Sequence, residues 1–382
     1  MTRPSLWLLT ALACVACSSS SGDDPQPSAG AGGGAGEAAR GGAGGTDGPG
    51  GAGAGGSDGP GGSGSPGGGS PGGAAGAGGP GGAGAGTAGS SGSSGASGTS
   101  GTSGSSGTSG QTGGALDPEP FGGDRPVNLF VPGSYQADQP APLLLLLHGI
   151  AVTASLQDTY LGLTPVASEK GLLYAYPEGT RNSQNQPFWN ADDACCDFEK
   201  SGVDDVAYLG NLITEIQGRY AVDPRRIFVI GHSNGGFMAH RLACERADLI
   251  TGIVSLAGAT WASPTQCQPS QPVTVAQVHG TSDQTVLYTG GSFFGVPYPG
   301  AVATTSAWAS LDGCALAPES SGTLDLDTQL AGAETTIRRA GPTCAKSTAV
   351  ELWTIQGGSH IPSITGTFAR AAVDFLLAHP RP

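Results

Sequence analysis

The 382-residue chain has a formal charge of −14, only 12% charged residues and no Lys/Arg cluster, which argues against nucleic acid or anionic lipid as a partner. Of its 69 glycines, 42 fall within 18–115, a stretch with no Val, Ile, Leu, Met, Phe, Tyr or Trp. Without large apolar side chains such a segment cannot offset its ordering entropy, so a disordered linker is expected over 18–115 and one folded domain over 116–382.

The chain opens on "MTRPSLWLLTALACVACSSSSGDD", with one early positive charge, a short apolar run, then small residues and cysteine. This is the pattern of an export signal over 1–17, too short for a stable membrane span. It resembles a bacterial lipoprotein signal, which makes Cys17, after Ala16, the expected lipidation site and the linker a tether to the cell envelope. The alternative is ordinary cleavage and free release. A flexible tether of this length has a typical span of roughly 50–60 Å. Export sets an oxidising context, so the six remaining cysteines (Cys195, Cys196, Cys244, Cys267, Cys314 and Cys344) are disulfide candidates. The expected pairing joins Cys314 to Cys344 and sets Cys244 and Cys267 against the adjacent pair Cys195 and Cys196. Zinc competes weakly, because the cysteines lack ligand spacing and no histidine pair accompanies them; no metal or organic cofactor is expected.

In the folded part, "DRPVNLFVP" reads as an edge strand. "APLLLLLHG" is a continuous apolar run ended by a turn signal, as for a strand buried on both faces, and "GLLYAYPEG" repeats the form at 171–179. The run 204–220 has apolar residues at helical spacing, and "DPRRIFVIG" follows as another buried strand. A helix after Ser233 gives way to the strands "ITGIVSLAG", "VTVAQVHG" and "AVELWTIQGG". The last element, "FARAAVDFLLAHP", is helical and stopped by Pro380. Apolar strands alternating with helices predict an α/β architecture, a mostly parallel sheet with helices on both faces. Sites in such sheets form at the carboxyl ends of the strands.

That rule distinguishes three occurrences of G-x-S-x-G. Ser57 and Ser70 sit in the glycine-rich linker with no strand or helix beside them. Ser233 sits between the strand "RIFVIG" and a helix, where Gly231, Gly235 and Gly236 permit a tight turn and the helix N-terminus favours developing negative charge. It is the candidate nucleophile, and it needs a base. His232 should point away from it, His240 lies on the helix, His379 is in the tail, and His148 and His279 end buried strands, where histidines hold loops. His360, after the strand "AVELWTIQ" and the flexible "GGS", is the candidate base. Asp283, in the turn after "VTVAQVHG", is the candidate acid. Asp204 and Asp205 are rivals better explained as caps of a helix N-terminus. Each of Ser233, Asp283 and His360 follows its own strand, in the Ser, Asp, His order of α/β-hydrolases. The backbone N–H groups of Asn234 and Ile150 are the expected oxyanion donors. Trp189, Trp261 and Tyr288 could line a cleft, but large aromatics more often serve the core.

Over 126–380 the chain resembles the poly(3-hydroxybutyrate) depolymerase-like esterases, relatives of the feruloyl and acetyl xylan esterases. The resemblance is carried by "LLLLLHG", "YAYPEGT", "WNADDACC", "VDDVAYL", "DPRRIFVIGHSNGGFMAHRLACE", "HGTSD" and "GGSHIPS". It implies an α/β-hydrolase fold, the roles of nucleophile, orienting acid and base for Ser233, Asp283 and His360, and a bridge from Cys195 or Cys196 to the vicinity of Cys244. It further implies an exported serine esterase acting through an acyl-enzyme on an ester substrate, polymeric if the family's polyester activity applies. Polyester or 3-hydroxyacyl ester hydrolysis is the first expectation, and feruloyl or acetyl ester removal from plant polysaccharide the second. The family often has an aromatic residue soon after the histidine, and "HIPSITG" has none. A non-catalytic surface-binding lipoprotein on the same fold is the competing class.

Overall fold

Seven consecutive buried residues, Ala141–Leu147, form a strand near the middle of the sheet, as expected of an uninterrupted apolar run. The structure, a computed structural model, describes residues 113–314, 318–341 and 344–382. The expected signal, Cys17 and nearly all of the expected linker lie outside those residues.

In chain order the strands are β1 (Ala115–Leu116), β2 (Phe130–Val131), β3 (Ala141–Leu147), β4 (Leu173–Ala175), β5 (Thr180–Arg181), β6 (Pro187–Phe188) and β7 (Val222–His232). They continue with β8 (Gly252–Leu256), β9 (Thr274–Gly280), β10 (Gly290–Phe293), β11 (Val296–Pro299), β12 (Pro318–Leu324), β13 (Thr335–Ala340) and β14 (Val350–Ile355). The helices are α1 (Ala154–Leu161), α2 (Leu163–Lys170), α3 (Asp205–Arg219), α4 (Asn234–Glu245), α5 (Ala301–Leu311) and α6 (Gly366–Leu377).

Ten strands make one sheet in the order β1-β2-β4-β3-β7-β8-β9-β14-β13-β12. The six from β4 to β14 run parallel, while β1 and β2 at one edge and β13 and β12 at the other pair antiparallel. Alternate residues of a strand face opposite sides, and the core divides accordingly. Leu143, Leu145, Ile227, Val229 and Ile253 pack with apolar residues of α3, α4 and α5, whereas Leu144, Leu146, Phe228, Ile230 and Val254 pack with α1, α2 and α6. This is the α/β-hydrolase fold, with a mostly parallel sheet covered on both faces. The edge strand β12 departs from regular pairing. Its register with β13 shifts between Ser320 and Gly322, so Ser321 bulges out of the ladder.

The cysteines pair as Cys195–Cys196, Cys244–Cys267 and Cys314–Cys344. The last is the expected bridge. The other two correct the expectation that the adjacent cysteines bond elsewhere. Cys244, near the end of α4, has its Cα 5.5 Å from that of Cys267, within ordinary bridging distance, and the adjacent pair is left to itself.

Candidate active site

Four loops at the carboxyl ends of β3, β7, β9 and β14 converge on one point of the sheet. The loop after β7 carries Ser233 with φ 55° and ψ −121°, a conformation that non-glycine residues avoid and that persists only where the surroundings enforce it. They do so by close packing. A Cβ on Gly231 would lie 2.1 Å from the carbonyl oxygen of Gly235, and one on Gly235 would lie 2.1 Å from that of Leu147. Strand, turn and helix therefore approach to a distance that only glycine allows, and Ser233 is pressed out at the bend.

Ser233, His360 and Asp283 form a hydrogen-bonded line. The Ser233 hydroxyl is 2.9 Å from His360 Nε2, and His360 Nδ1 is 2.8 Å from Asp283 Oδ2. With Nδ1–H donated to the carboxylate, Nε2 is free to accept from the serine. All three side chains are buried to within a few per cent, with Ser233 and His360 each 7% exposed. The other carboxylate oxygen, Oδ1, accepts the N–H groups of Thr285 and Val286 at 2.8 and 2.9 Å. Burial alone would raise the Asp283 carboxyl, but hydrogen bonds from His279 and His360 outweigh it and hold it below the usual carboxylate range. The loops are also tied to each other. Ser282 N–H donates to the Gly358 carbonyl at 2.9 Å, and Gly357 N–H to the Thr281 hydroxyl at 2.8 Å.

Asn234 opens α4, so its N–H is one of the helix's first four, which have no acceptor within the helix. The turn after β3 abuts the same point. A Cβ on Gly149 would lie 3.4 Å from that of Ser233, and Ile150 follows directly. Both expected oxyanion donors thus belong to segments bordering the serine. His148, as expected, holds this turn. Its Nδ1–H donates to the Gly149 carbonyl at 2.8 Å, and its Nε2 accepts Gly179 N–H at 2.9 Å. Burial lowers its pKa and so favours this neutral form.

Several structural roles were not legible in the sequence. The buried Asn234 side chain clamps the backbone of Trp189, accepting its N–H at 2.7 Å and donating to its carbonyl at 2.9 Å. His232 does point away from Ser233, and the place it points to matters. Its Nε2–H donates to the backbone carbonyl of His360 at 3.0 Å, and the two rings lie 5.3 Å apart. Burial, with the nearby His360, pulls its pKa down to about 3, so it stays neutral. Asp204 caps α3 by accepting Ala207 N–H at 2.8 Å. Asp205 does not cap. It is fully buried, paired with Arg125, and accepts Asn190 N–H at 2.7 Å. Trp189 is core, fully buried. The exposed aromatics come from elsewhere: Phe294, 82% exposed at the tip of the β10–β11 hairpin, meets Phe198 edge-on at 5.0 Å. Phe293 and Tyr298 of the same hairpin contact Phe237, one turn after Ser233 on α4.

The fold is that of the α/β-hydrolases, with Ser233, Asp283 and His360 brought together at the carboxyl ends of its strands. A family model described as phospholipase/carboxylesterase matches residues 135–295, a span that includes Ser233 and Asp283 and stops short of His360. Feruloyl esterase B of Piromyces equi is 30% identical over 203 residues, which cover 51% of this chain and 37% of that protein. The bifunctional acetylxylan esterase/xylanase XynS20E of Neocallimastix patriciarum is 23% identical over 167 residues, 44% of this chain and 22% of that protein. The chain therefore matches less than half the length of either relative. Acetyl xylan esterase from Aspergillus awamori superposes with a TM-score of 0.47 at 15% identity, over 69% of this chain and 98% of that one.

Proposed function

We propose that this chain is a serine esterase that hydrolyses carboxylic esters through an acyl-enzyme. The observation that carries the reading is the Ser233–His360–Asp283 line built on a strained serine. Ser233 Oγ attacks the ester carbonyl carbon while His360 Nε2 takes its proton. The carbonyl oxygen becomes an oxyanion held by the N–H groups of Ile150 and Asn234. As the tetrahedral intermediate collapses, His360 protonates the leaving alcohol; it then takes a proton from the water that cleaves the acyl-enzyme. Asp283 stays ionised throughout, holding the imidazole in the right tautomer and stabilising its charged form.

For the substrate, hydroxycinnamoyl or acetyl esters of plant polysaccharide now lead. Two things support them: the names of the relatives above, and the exposed pair formed by Phe294, on the hairpin that follows the Asp283 loop, with Phe198, from the segment before α3, which offers rings for stacking against an aromatic acyl group. The polyester reading rests on the motif resemblance alone. Export, with or without lipid on Cys17, is part of the proposal and draws support from the three disulfides, which persist in oxidising compartments.

The test assays the full chain and Ser233→Ala on methyl ferulate, acetylated xylan, short p-nitrophenyl esters and 3-hydroxybutyrate oligomers. The expected result is turnover by the wild type and a loss of roughly 10⁴-fold or more in the variant, with methyl ferulate or acetylated xylan among the best substrates. Preferred cleavage of the oligomers would return the polyester reading to first place. Binding without turnover of any ester would overturn the esterase reading in favour of a non-catalytic surface protein.

A further inference from the structure

Behind Asp283 lies a line of buried polar side chains that ester hydrolysis by the three residues above does not itself require. Trp308 on α5 donates its indole N–H to His240 Nδ1 at 2.9 Å. His240 Nε2, on α4, is 2.9 Å from Gln277 Oε1. Gln277 Nε2, on β9, is 3.2 Å from His279 Nδ1 and donates to the Gly258 carbonyl at 2.8 Å. His279 Nε2 is 2.8 Å from the Val286 carbonyl and 3.2 Å from Asp283 Oδ2. Trp308, His240, Gln277 and His279 are all at most 1% exposed.

The direction of this chain is forced. An indole can only donate, and an ionised carboxylate can only accept. Trp308 therefore places the His240 proton on Nε2, and the Gly258 carbonyl independently turns the Gln277 amide so that its oxygen faces His240. His279 must then accept on Nδ1 and carry its proton on Nε2, facing both Asp283 and the backbone of the Asp283 loop. The reverse tautomer would aim a nitrogen lone pair at a carboxylate and a carbonyl together. We propose that His279 is a positioning residue for Asp283, its Nε2–H holding the carboxylate and its loop, with its tautomer matched to the donor end of Gln277, which the Gly258 carbonyl and the Trp308–His240 pair orient in the same sense. Asp283 is then surrounded by four N–H groups, from Thr285, Val286, His279 and His360, rather than by its histidine partner alone.

This rests on the esterase reading, and the experiment separates the two. The first measurement is ¹⁵N NMR of histidine-labelled protein, which reads tautomers without any substrate. It should find His240 and His279 neutral with the proton on Nε2; a proton on Nδ1 of His279 overturns the proposal whatever the enzyme hydrolyses. The second compares His279→Leu with His279→Gln, whose amide nitrogen can stand where Nε2 stands. Once wild-type turnover is established, the Leu variant should lose about 10- to 100-fold in kcat with KM within about twofold, the size of one lost hydrogen bond to a charged group. The Gln variant should recover most of that loss. Equal kcat in the Leu variant and wild type, or equal losses in both variants, would overturn it. If His279→Leu does not fold, the tautomer measurement on the wild type decides alone, since it needs no variant: a proton on Nδ1 of His279 overturns the proposal.

Discussion

At the scale of single residues, Asn234 separates two jobs that one position performs. In the proposed mechanism its backbone N–H donates to the oxyanion, and its side chain holds the Trp189 backbone through two hydrogen bonds. Asn234→Ala keeps the first and removes the second. It should lower stability by about 1–3 kcal/mol, because Trp189 N–H and C=O lose buried partners, while the hydroxyl of Ser233 keeps its reactivity toward a small activated ester. Thermal melting and p-nitrophenyl acetate turnover check the two halves separately. The candidate nucleophile, acid and base were legible because each ends its own apolar strand and sits in a glycine-marked turn. His232, Gln277 and His279 were not. A histidine's role depends on which atoms its two nitrogens meet, and those partners are up to 128 positions away in the chain. Expecting His279 to hold a loop captured its contact with Val286, and missed the carboxylate beside it.

Among the elements, the central parallel strands β3, β7, β8, β9 and β14 were all readable as mainly apolar runs, because a strand buried on both faces carries few polar side chains and each of those needs a partner. Helices α3 and α6 were readable from their patterns, and α4 from its place after the Ser233 turn. The helices α1 and α2 were not: their sequences, ASLQDTYL and LTPVASEK, bury only three residues each. Helix α5 was hidden for the opposite reason, since AVATTSAWASL is apolar or small on all sides. The C-terminal end of α5 leads to Asp312, whose carboxyl is pushed up to about 7 by burial while it accepts Val273 N–H at 3.2 Å. An acid whose folded pKa is raised binds its proton more tightly in the native state than in the unfolded chain. Its ionisation therefore costs stability as pH rises from about 4 through 7, and the cost is complete above that. Asp312→Asn should narrow the gap in melting temperature between pH 5 and pH 8, with the variant gaining on the wild type at the higher pH. A variant that tracks the wild type at both values would show that Asp312 titrates normally.

For the molecule as a whole, two bridges tie distant segments. Cys244–Cys267 and Cys314–Cys344 close loops with sequence separations of 23 and 30, and loop-closure entropy puts each at about 3–4 kcal/mol. Replacing both cysteines of either pair by serine should lower the melting temperature. A reducing agent should lower that of the wild type and leave a variant lacking all three bridges unmoved. Domain-wide topology was partly legible: strand and helix alternation implied the parallel sheet, but nothing in the sequence pattern announced β12 and β13, whose sequences, PESSGTL and TTIRRA, form no apolar run.

The bulge at Ser321 on β12 bears on how these molecules behave when crowded. An open sheet ends in unpaired backbone groups that invite a neighbour's strand, and a straight edge can seed end-to-end growth of many sheets. Here the outermost strand breaks step after Ser320 and is interrupted by Gly322 at φ 135°, so an incoming strand would lose register partway along. The irregular margin makes this edge a poor template for copies of the chain, a form of colloidal self-protection.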